Sequence, residues 1–308
     1  MTHNIKDAAY VLAAIAGKDP NDSYTSAIPF STIPDYVGAC QRATLVGKRI
    51  GVPRNGFVTE REGDTTEIHA YFDRALEAAR KAGATVIDPA NFPNMEGFTA
   101  KNSDVKDFGN CTYFQILGPD FVAGLENYLS QLTANPNNIH SLQDLVEFTK
   151  HFPAEEYPDR DIEAWKEALH SDLKNTDDKF LEMHKVNVEV GSHGTILGAL
   201  ERDDLDVLMI PSFYSSHYAA PAGYPVITIP LGQSSISTPV KRTKTGLVEA
   251  GPKLPFAISI YGRKFEEAGM IEVAYAFEQM WKEGRGRPLI LPNIQIQDVL
   301  DENVKTGM

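Results

Sequence analysis

One stretch of the sequence constrains the fold more than any other, because residues 207–240 contain no Asp, Glu, Lys or Arg. A stretch this free of charge is buried, either in a membrane or in the core of a folded domain. A membrane-spanning helix does not tolerate many prolines, because each proline removes a backbone hydrogen bond. This stretch contains five of them: Pro211, Pro221, Pro225, Pro230 and Pro239. We therefore predict the buried core of a soluble domain, made of short strands and Pro-rich loops, with no membrane span.

Three apolar runs within and after this stretch are typical of strands covered on both faces. They are residues 206–212, 226–231 and 255–261. A helix is predicted to follow them at 266–282, with a stripe of apolar residues along one side.

An earlier part of the chain alternates between strand and helix patterns. Residues 48–54 and 84–88 have strand character, and an amphipathic helix that begins with a capping box at 64–67 and stops at Gly83 lies between them. A strand, a helix and a second strand in that order favour parallel pairing. Together with the late strands, this order predicts an α/β fold with a mixed β-sheet flanked by helices.

Two further segments read as helical. Residues 6–17 form an Ala-rich helix that Asn4 can cap. Residues 90–190 are mostly helical in pattern and acidic, so we interpret them as a solvated helical excursion packed over the sheet. Because no linker or repeat divides the chain, residues 1–308 are predicted to form a single domain.

The net charge bears on the partners of this chain, and its cysteine content bears on its location. With 29 Lys and Arg against 42 Asp and Glu, the net charge is −13, and the basic runs at 241–244 and 285–287 are short, so nucleic acid is not expected to bind. The two cysteines, Cys40 and Cys111, are interpreted as reduced thiols. They predict a cytoplasmic location.

The sequence contains no self-contained catalytic motif. G-x-S-x-G, the P-loop, G-x-G-x-x-G and C-x-x-C are all absent, and no histidine pair has metal-ligand spacing. Ser192 precedes His193, which we interpret as a helix-opening loop, and the pairs Ser215–Ser216 and Ser234–Ser235 as turns. No metal and no cofactor is predicted.

Three blocks, in the same order along the chain, resemble the amidase-signature hydrolases, and in particular the large amidases common in fungi. The late core carries the most specific of them, LDVLMIP followed by AAPAGYPVITIPLG at 205–232, and then LPFAISIYGR and AYAFEQ at 254–279. The early block runs from Ile5 to Pro53 and contains GKRIGVP. One departure is Ala257, where the family commonly has Gly.

The resemblance implies hydrolysis of amide bonds by a Lys, a cis-configured Ser and a nucleophilic Ser. In the family these lie in a Gly/Ser-rich segment like GSSGGSAAAVA, before the block that here begins at Ile5, and no segment of residues 1–308 matches it. We therefore expect an amidase-signature fold that is incomplete at its N-terminal side, a partial domain over 1–308. No catalytic residue is assigned, and the chain alone is expected to be inactive.

The resemblance also places the loop after the strand ending at Pro211 near the substrate pocket. Ser212, Tyr214 and His217 are the polar candidates there for contact with a small-molecule amide, if the chain is part of a complete enzyme.

Three readings stay open at this point. The chain is the C-terminal portion of an amidase, from a shortened gene model or a decayed, pseudoenzyme gene. Alternatively, it is a non-enzymatic binding or interaction protein derived from an amidase. A new enzyme built from the remaining residues is the third reading. If part of the sheet is left uncovered, self-association is expected, since exposed apolar strands are aggregation templates.

Overall fold

The computed structural model describes residues 2–58, 65–95, 110–215, 218–242, 246 and 248–283, with the backbone alone for 110–115. Five strands of this part form a mixed sheet in the order β2-β1-β3-β7-β4, and two short strands pair separately as β5-β6. The strands are β1 (Arg49–Gly51), β2 (Thr85–Ile87), β3 (Val207–Pro211), β4 (Val226–Gln233), β5 (Lys241–Arg242), β6 (Val248–Ala250) and β7 (Pro255–Tyr261).

Parallel and antiparallel pairings meet at the centre of the sheet. Strand β1 pairs in parallel with both β2 and β3, whereas β7 runs antiparallel to β3 and to β4. The helices are α1 (Ile5–Ile15), α2 (Tyr36–Ala39), α3 (Thr66–Lys81), α4 (Asn110–Ser130), α5 (Leu142–His151), α6 (Glu163–Leu169), α7 (Asp178–Gly191), α8 (Leu197–Arg202) and α9 (Glu267–Met280). A mixed sheet flanked by helices is therefore confirmed.

Alternate residues of the central strands point into two separate cores. Val207 and Met209 of β3 pack on the first face of the sheet with α1, α2, α3 and α9, while Leu208 and Ile210 pack on the second face with α8. Every residue of β3 is buried, as the apolar run predicts.

Strand β4 lies at an edge of the sheet, and only one of its faces is covered. Ile229 and Leu231 are buried in the first core, but Val226, Thr228 and Pro230, which alternate with them, are exposed. Beyond β4, Ile236 and Val240 are largely exposed as well. The prediction of burial throughout 207–240 is therefore wrong for these positions, because they lie at an edge or on a loop outside the sheet.

The capping signals that the sequence predicted concern the first residues of α1 and α3. The predicted cap of α1 is confirmed, since the Asn4 side chain accepts a hydrogen bond from the Asp7 amide. Helix α3 begins after Thr65, whose side chain does not cap it, and Glu67 accepts a hydrogen bond from the Ser235 amide. Asp64, the other half of the predicted box, lies outside the described residues.

The segment around Ser192 and His193 is not a loop. Residues Ser192–Ile196 form a π-helical turn that joins α7 directly to α8. The prediction of a helix-opening loop is wrong, because Gly194 is accommodated inside the helix. Of the helices that the structure describes, none combines the length and hydropathy needed to cross a bilayer.

Candidate functional site

The turn that follows β3 holds the polar residues that the sequence singled out. Pro211 ends the strand, and Ser212–Tyr214 form a tight 3₁₀ turn at its carboxyl end. Strand β7 lies beside β3 there, and β4 lies beside β7, with Thr228 opposite Ser259. Three segments thus bring hydroxyl groups to one place on the second face of the sheet.

Three serines of this site, Ser212, Ser259 and Ser215, are joined in what we call the serine chain. The Ser212 and Ser259 Oγ atoms are 2.9 Å apart, and Ser259 Oγ donates to Ser215 Oγ at 2.9 Å. Ser215 Oγ in turn donates to the Ser212 carbonyl oxygen at 3.0 Å. Thr228 Oγ1 lies 3.4 Å from Ser259 Oγ, at the solvent side of the group.

The direction of the hydrogen bonds in the serine chain follows from the single proton that each hydroxyl carries. Ser215 gives its proton to a carbonyl, and Ser259 gives its proton to Ser215. Ser212 is therefore the donor to Ser259. The chain ends on a carbonyl oxygen, which cannot act as a general base, so these contacts activate none of the three serines as a nucleophile.

Tyr214 anchors the turn in the protein interior. Its side chain is only 5% exposed, and its hydroxyl lies 2.8 Å from His69 Nε2 on α3. The Tyr214 ring stacks on Phe57 with the ring centroids 5.2 Å apart. Ser212 is partly exposed, whereas His217 lies outside the described residues. Of the three predicted substrate residues, the structure thus describes Ser212 at the surface and Tyr214 in the interior.

Two buried tyrosines fix the backbone around the turn. Tyr261 donates its hydroxyl proton to the Ser215 carbonyl at 2.8 Å, and Tyr218 donates to the Gly56 carbonyl at 2.7 Å. Burial raises the pKa of Tyr218 and that of Tyr261 above the ordinary value for tyrosine. Both side chains therefore stay neutral donors across the physiological range.

Of the other serines that sequence analysis considered, Ser216 lies outside the described residues, and the rest have structural partners. Ser234 Oγ donates to the Gly251 carbonyl, and Ser235 Oγ pairs with Ser237 Oγ. Ser192 Oγ is 2.7 Å from the Tyr224 hydroxyl, while His193 Nδ1 pairs with a Glu189 carboxylate. Ser192 and His193 therefore face different partners, as expected from sequence neighbours on a helix.

A network of charged groups borders the aromatic ring that packs on Tyr214. Arg54 spans Asp88 and Asp73, each at 2.7 Å, and its guanidinium lies over the Phe57 ring that stacks on Tyr214. The hydrogen bond to Asp88 is the main cause that raises the pKa of Arg54. Within the described ranges, no three His, Cys, Asp or Glu side chains come together as a metal site.

Sequence reasoning missed Ser259, Thr228 and His69 as parts of this site. Ser259 carried a usable signal, since it is the hydroxyl residue within the otherwise apolar first six residues of β7, PFAISI. Its side chain is 1% exposed, and a buried hydroxyl needs a polar partner. His69 carried no signal, because its contact with Tyr214 joins residues 145 positions apart.

Comparisons with known proteins match this chain to a single family. A sequence model of the family described as Amidase matches residues 1–271. An Arthroderma benhamiae protein described as "Putative amidase" is 43% identical over 279 residues, which is 91% of this chain and 45% of that protein. An Arabidopsis thaliana protein described as "Probable amidase" is 25% identical over 280 residues, 89% of this chain and 46% of that protein.

A solved structure shares the fold. The peptide amidase of Stenotrophomonas maltophilia superposes with a TM-score of 0.70 at 26% identity, over 92% of this chain and 53% of that one. The chain thus spans about half the length of the curated and solved relatives that it matches.

Proposed function

The chain belongs to the amidase family, and from that premise we propose that it forms one side of an amide-hydrolysing site. In this proposal the residues after β3 contact the substrate, and the nucleophile comes from a segment that residues 1–308 do not include. The closed serine chain is the observation that carries the proposal. It gives three hydroxyls a fixed arrangement at the turn and, among the described residues, leaves none of them with a base.

The chemistry that the missing segment supplies follows from the family resemblance. A neutral Lys, acting through a bridging Ser, takes the proton of the nucleophilic Ser as that oxygen attacks the amide carbon. Backbone N–H groups of a Gly-rich loop stabilise the oxyanion that forms. Because the three side chains act as a unit, the loss of all of them removes measurable turnover. We therefore propose that the chain alone is inactive.

Within the turn, the roles of the candidate residues differ. Ser212 is proposed to contact the amide, since the residue is partly exposed at the end of β3. Tyr214 is proposed to hold the turn through His69 and Phe57, because its ring is buried. His217 stays a proposed substrate contact on the strength of the resemblance alone.

The proposed ligand is a small-molecule amide, and the proposed location is the cytoplasm. The free, buried thiol of Cys40 supports a reducing environment. The net charge of −13 supports the expectation that nucleic acid does not bind.

Complementation tests the proposal. The N-terminal portion of the Arthroderma benhamiae relative, to which the proposal assigns the Gly/Ser-rich segment, is fused ahead of this chain. Hydrolysis is then measured with amides that the intact relative hydrolyses. We expect turnover by the fusion and none by either portion alone. Ser212→Ala in the fusion is expected to raise KM, while Ser234→Ala serves as a control.

A folded fusion that does not hydrolyse these amides would contradict the proposal. If that fusion nevertheless bound them, the result would favour the non-enzymatic binding protein.

A further inference from the structure

We propose that the serine chain fixes the Ser212 hydroxyl as a hydrogen-bond acceptor, so that Ser212 selects ligands that carry an N–H donor. The inference rests on the proposed function for the class of ligand, which is a carboxamide. It predicts that the site distinguishes an amide from an ester of the same shape.

The first step concerns the lone pairs of Ser212 Oγ. Its proton is committed to Ser259, because the protons of Ser259 and Ser215 are both used further along the chain. A hydroxyl oxygen has two lone pairs. Across the described residues, no group donates to Ser212 Oγ, and its residue is partly exposed. With respect to the described residues, Ser212 Oγ therefore keeps a free lone pair as an acceptor, while its proton is committed to Ser259.

The second step concerns what keeps the proton of Ser212 in place. If Ser212 rotated its proton toward a ligand, Ser259 would lose its closest donor, and Ser259 is 1% exposed, so water does not replace that bond. Thr228 Oγ1, at 3.4 Å, is a longer and weaker partner for Ser259, so loss of the 2.9 Å bond from Ser212 is unfavourable. Donation along a chain of hydroxyls also polarises each oxygen, which strengthens Ser212 Oγ as an acceptor.

The third step concerns the end of the serine chain at Ser215. The Ser212 carbonyl receives the proton of Ser215, and the Ser215 carbonyl receives that of Tyr261 at 2.8 Å. The turn is therefore held on both sides, by its own hydroxyl and by β7. Thr228 lies 3.4 Å from Ser259 and is exposed, so it borders the site without setting the direction of the chain.

A fixed acceptor discriminates between isosteric ligands. The N–H of a carboxamide donates to Ser212 Oγ. The corresponding ester oxygen carries only lone pairs, which repel the lone pairs of Ser212 Oγ. A site built to accept a ligand proton disfavours the analogue that lacks it. Since this rests on one partly exposed contact, we expect a preference of about tenfold.

N-methylacetamide and methyl acetate form a matched pair for the test, because they differ by N–H against O. Each is titrated into the full chain, and the backbone ¹⁵N resonances of residues 212–215 and 259 are followed. We expect N-methylacetamide to reach half-saturation at about one tenth of the methyl acetate concentration. Ser212→Ala is expected to reduce this ratio to about one.

Two further variants test the direction of the hydrogen bonds in the serine chain rather than the presence of Ser212. In Ser259→Ala the Ser212 proton loses its acceptor, and in Ser215→Ala Ser259 is free to donate to Ser212. Either variant is expected to lower the preference to about twofold or less, while both ligands still bind. Ser215 is partly exposed, so Ser215→Ala covers the case in which Ser259→Ala does not fold. Ser26→Ala is the control, because the Ser26 hydroxyl is exposed and donates to the Ser23 carbonyl outside the serine chain, and it should keep the tenfold ratio.

Equal binding of the two ligands by the wild-type chain would overturn the inference. So would a preference that persists in Ser212→Ala or Ser215→Ala, or a lack of any shift at 212–215 with the amide. Because the readout is binding, it does not depend on hydrolysis. Failure of the fusion to turn over amides would contradict the proposed function without touching this result.

Discussion

Tyr218 shows how a single hydroxyl holds the two halves of the second core together. It joins the loop after β3 to the Gly56 carbonyl, 162 positions earlier in the chain. Tyr218→Phe removes the donor and leaves that carbonyl buried without it, which is expected to lower the free energy of unfolding by about 1–3 kcal/mol. Urea unfolding measures the loss. Tyr24→Phe is the control, because Tyr24 is 83% exposed and should change stability by less than about 0.5 kcal/mol.

The same buried tyrosines predict how stability depends on alkaline pH. Burial raises the pKa of Tyr218 and of Tyr261, so the folded state keeps its phenol protons where the unfolded state loses them. Their contribution is complete below about pH 10, the ordinary tyrosine pKa, and is lost as pH rises above it.

We expect the free energy of unfolding to fall above about pH 10, with a smaller fall in Tyr218→Phe than in the wild type. Urea unfolding between about pH 8 and pH 11.5 measures both slopes. A slope unchanged in Tyr218→Phe would contradict the assignment, and Tyr24→Phe should match the wild type.

At the scale of single elements, the π-helical turn between α7 and α8 depends on a glycine. A Cβ at Gly198 would lie 2.0 Å from the His193 carbonyl oxygen and 2.9 Å from Pro93 Cγ. Gly198→Ala is therefore expected to destabilise the protein by about 1–3 kcal/mol, despite the higher helix propensity of Ala.

Gly124 in α4 gives the matched case, since a Cβ there would meet no atom of the described residues within 4 Å. Gly124→Ala is expected to stabilise the protein by about 0.5–1 kcal/mol. Thermal unfolding of both variants measures the contrast. If Gly198→Ala proved as stable as Gly124→Ala, the close approach at the π turn would be wrong.

The strands and most helices could be predicted because their signals are local. The apolar run of β3 and the Asn4 cap of α1 lie within a few residues of the elements they define. The π turn at 192–196 could not, because its surroundings include Pro93, which lies against Gly198 of α8 from a distant part of the chain. The exposed face of β4 was also missed, since apolar content does not show which strand lies at the edge.

The candidate site was predictable only in part, for the same reason. Ser212 and Tyr214 follow a recognisable strand, so the resemblance located the turn. Their partners, Ser259 and His69, come from β7 and α3 and meet the turn only once the sheet has formed. Tyr214 shows this most clearly. The resemblance suggested that Tyr214 contacts the substrate, whereas the folded structure buries its ring against Phe57 and His69.

At the scale of the whole molecule, the open face of β4 predicts self-association. Val226 on this face is 46% exposed, beside the exposed Thr228 and Pro230. We expect reversible association that grows with concentration, and a charged residue on an edge strand opposes such pairing. Val226→Lys should therefore reduce it, as measured by sedimentation velocity.

Val11→Lys serves as the control for this prediction, since Val11 is 49% exposed but lies on α1. It should leave the association unchanged. A wild-type chain that stays monomeric at all concentrations would show that the face of β4 does not drive contact between copies.

Labelling with a fluorophosphonate probe tests most directly whether this chain carries the substrate side of an amidase site without its nucleophile. The chain alone is treated with the probe and its intact mass is measured, alongside hydrolysis of an activated aryl amide and an aryl ester. We predict no adduct and no turnover, because the protons of Ser212, Ser259 and Ser215 end on a carbonyl oxygen and not on a base. One adduct per chain, abolished by Ser→Ala at position 215, 216, 234 or 235, would show a nucleophile within these 308 residues and contradict the account.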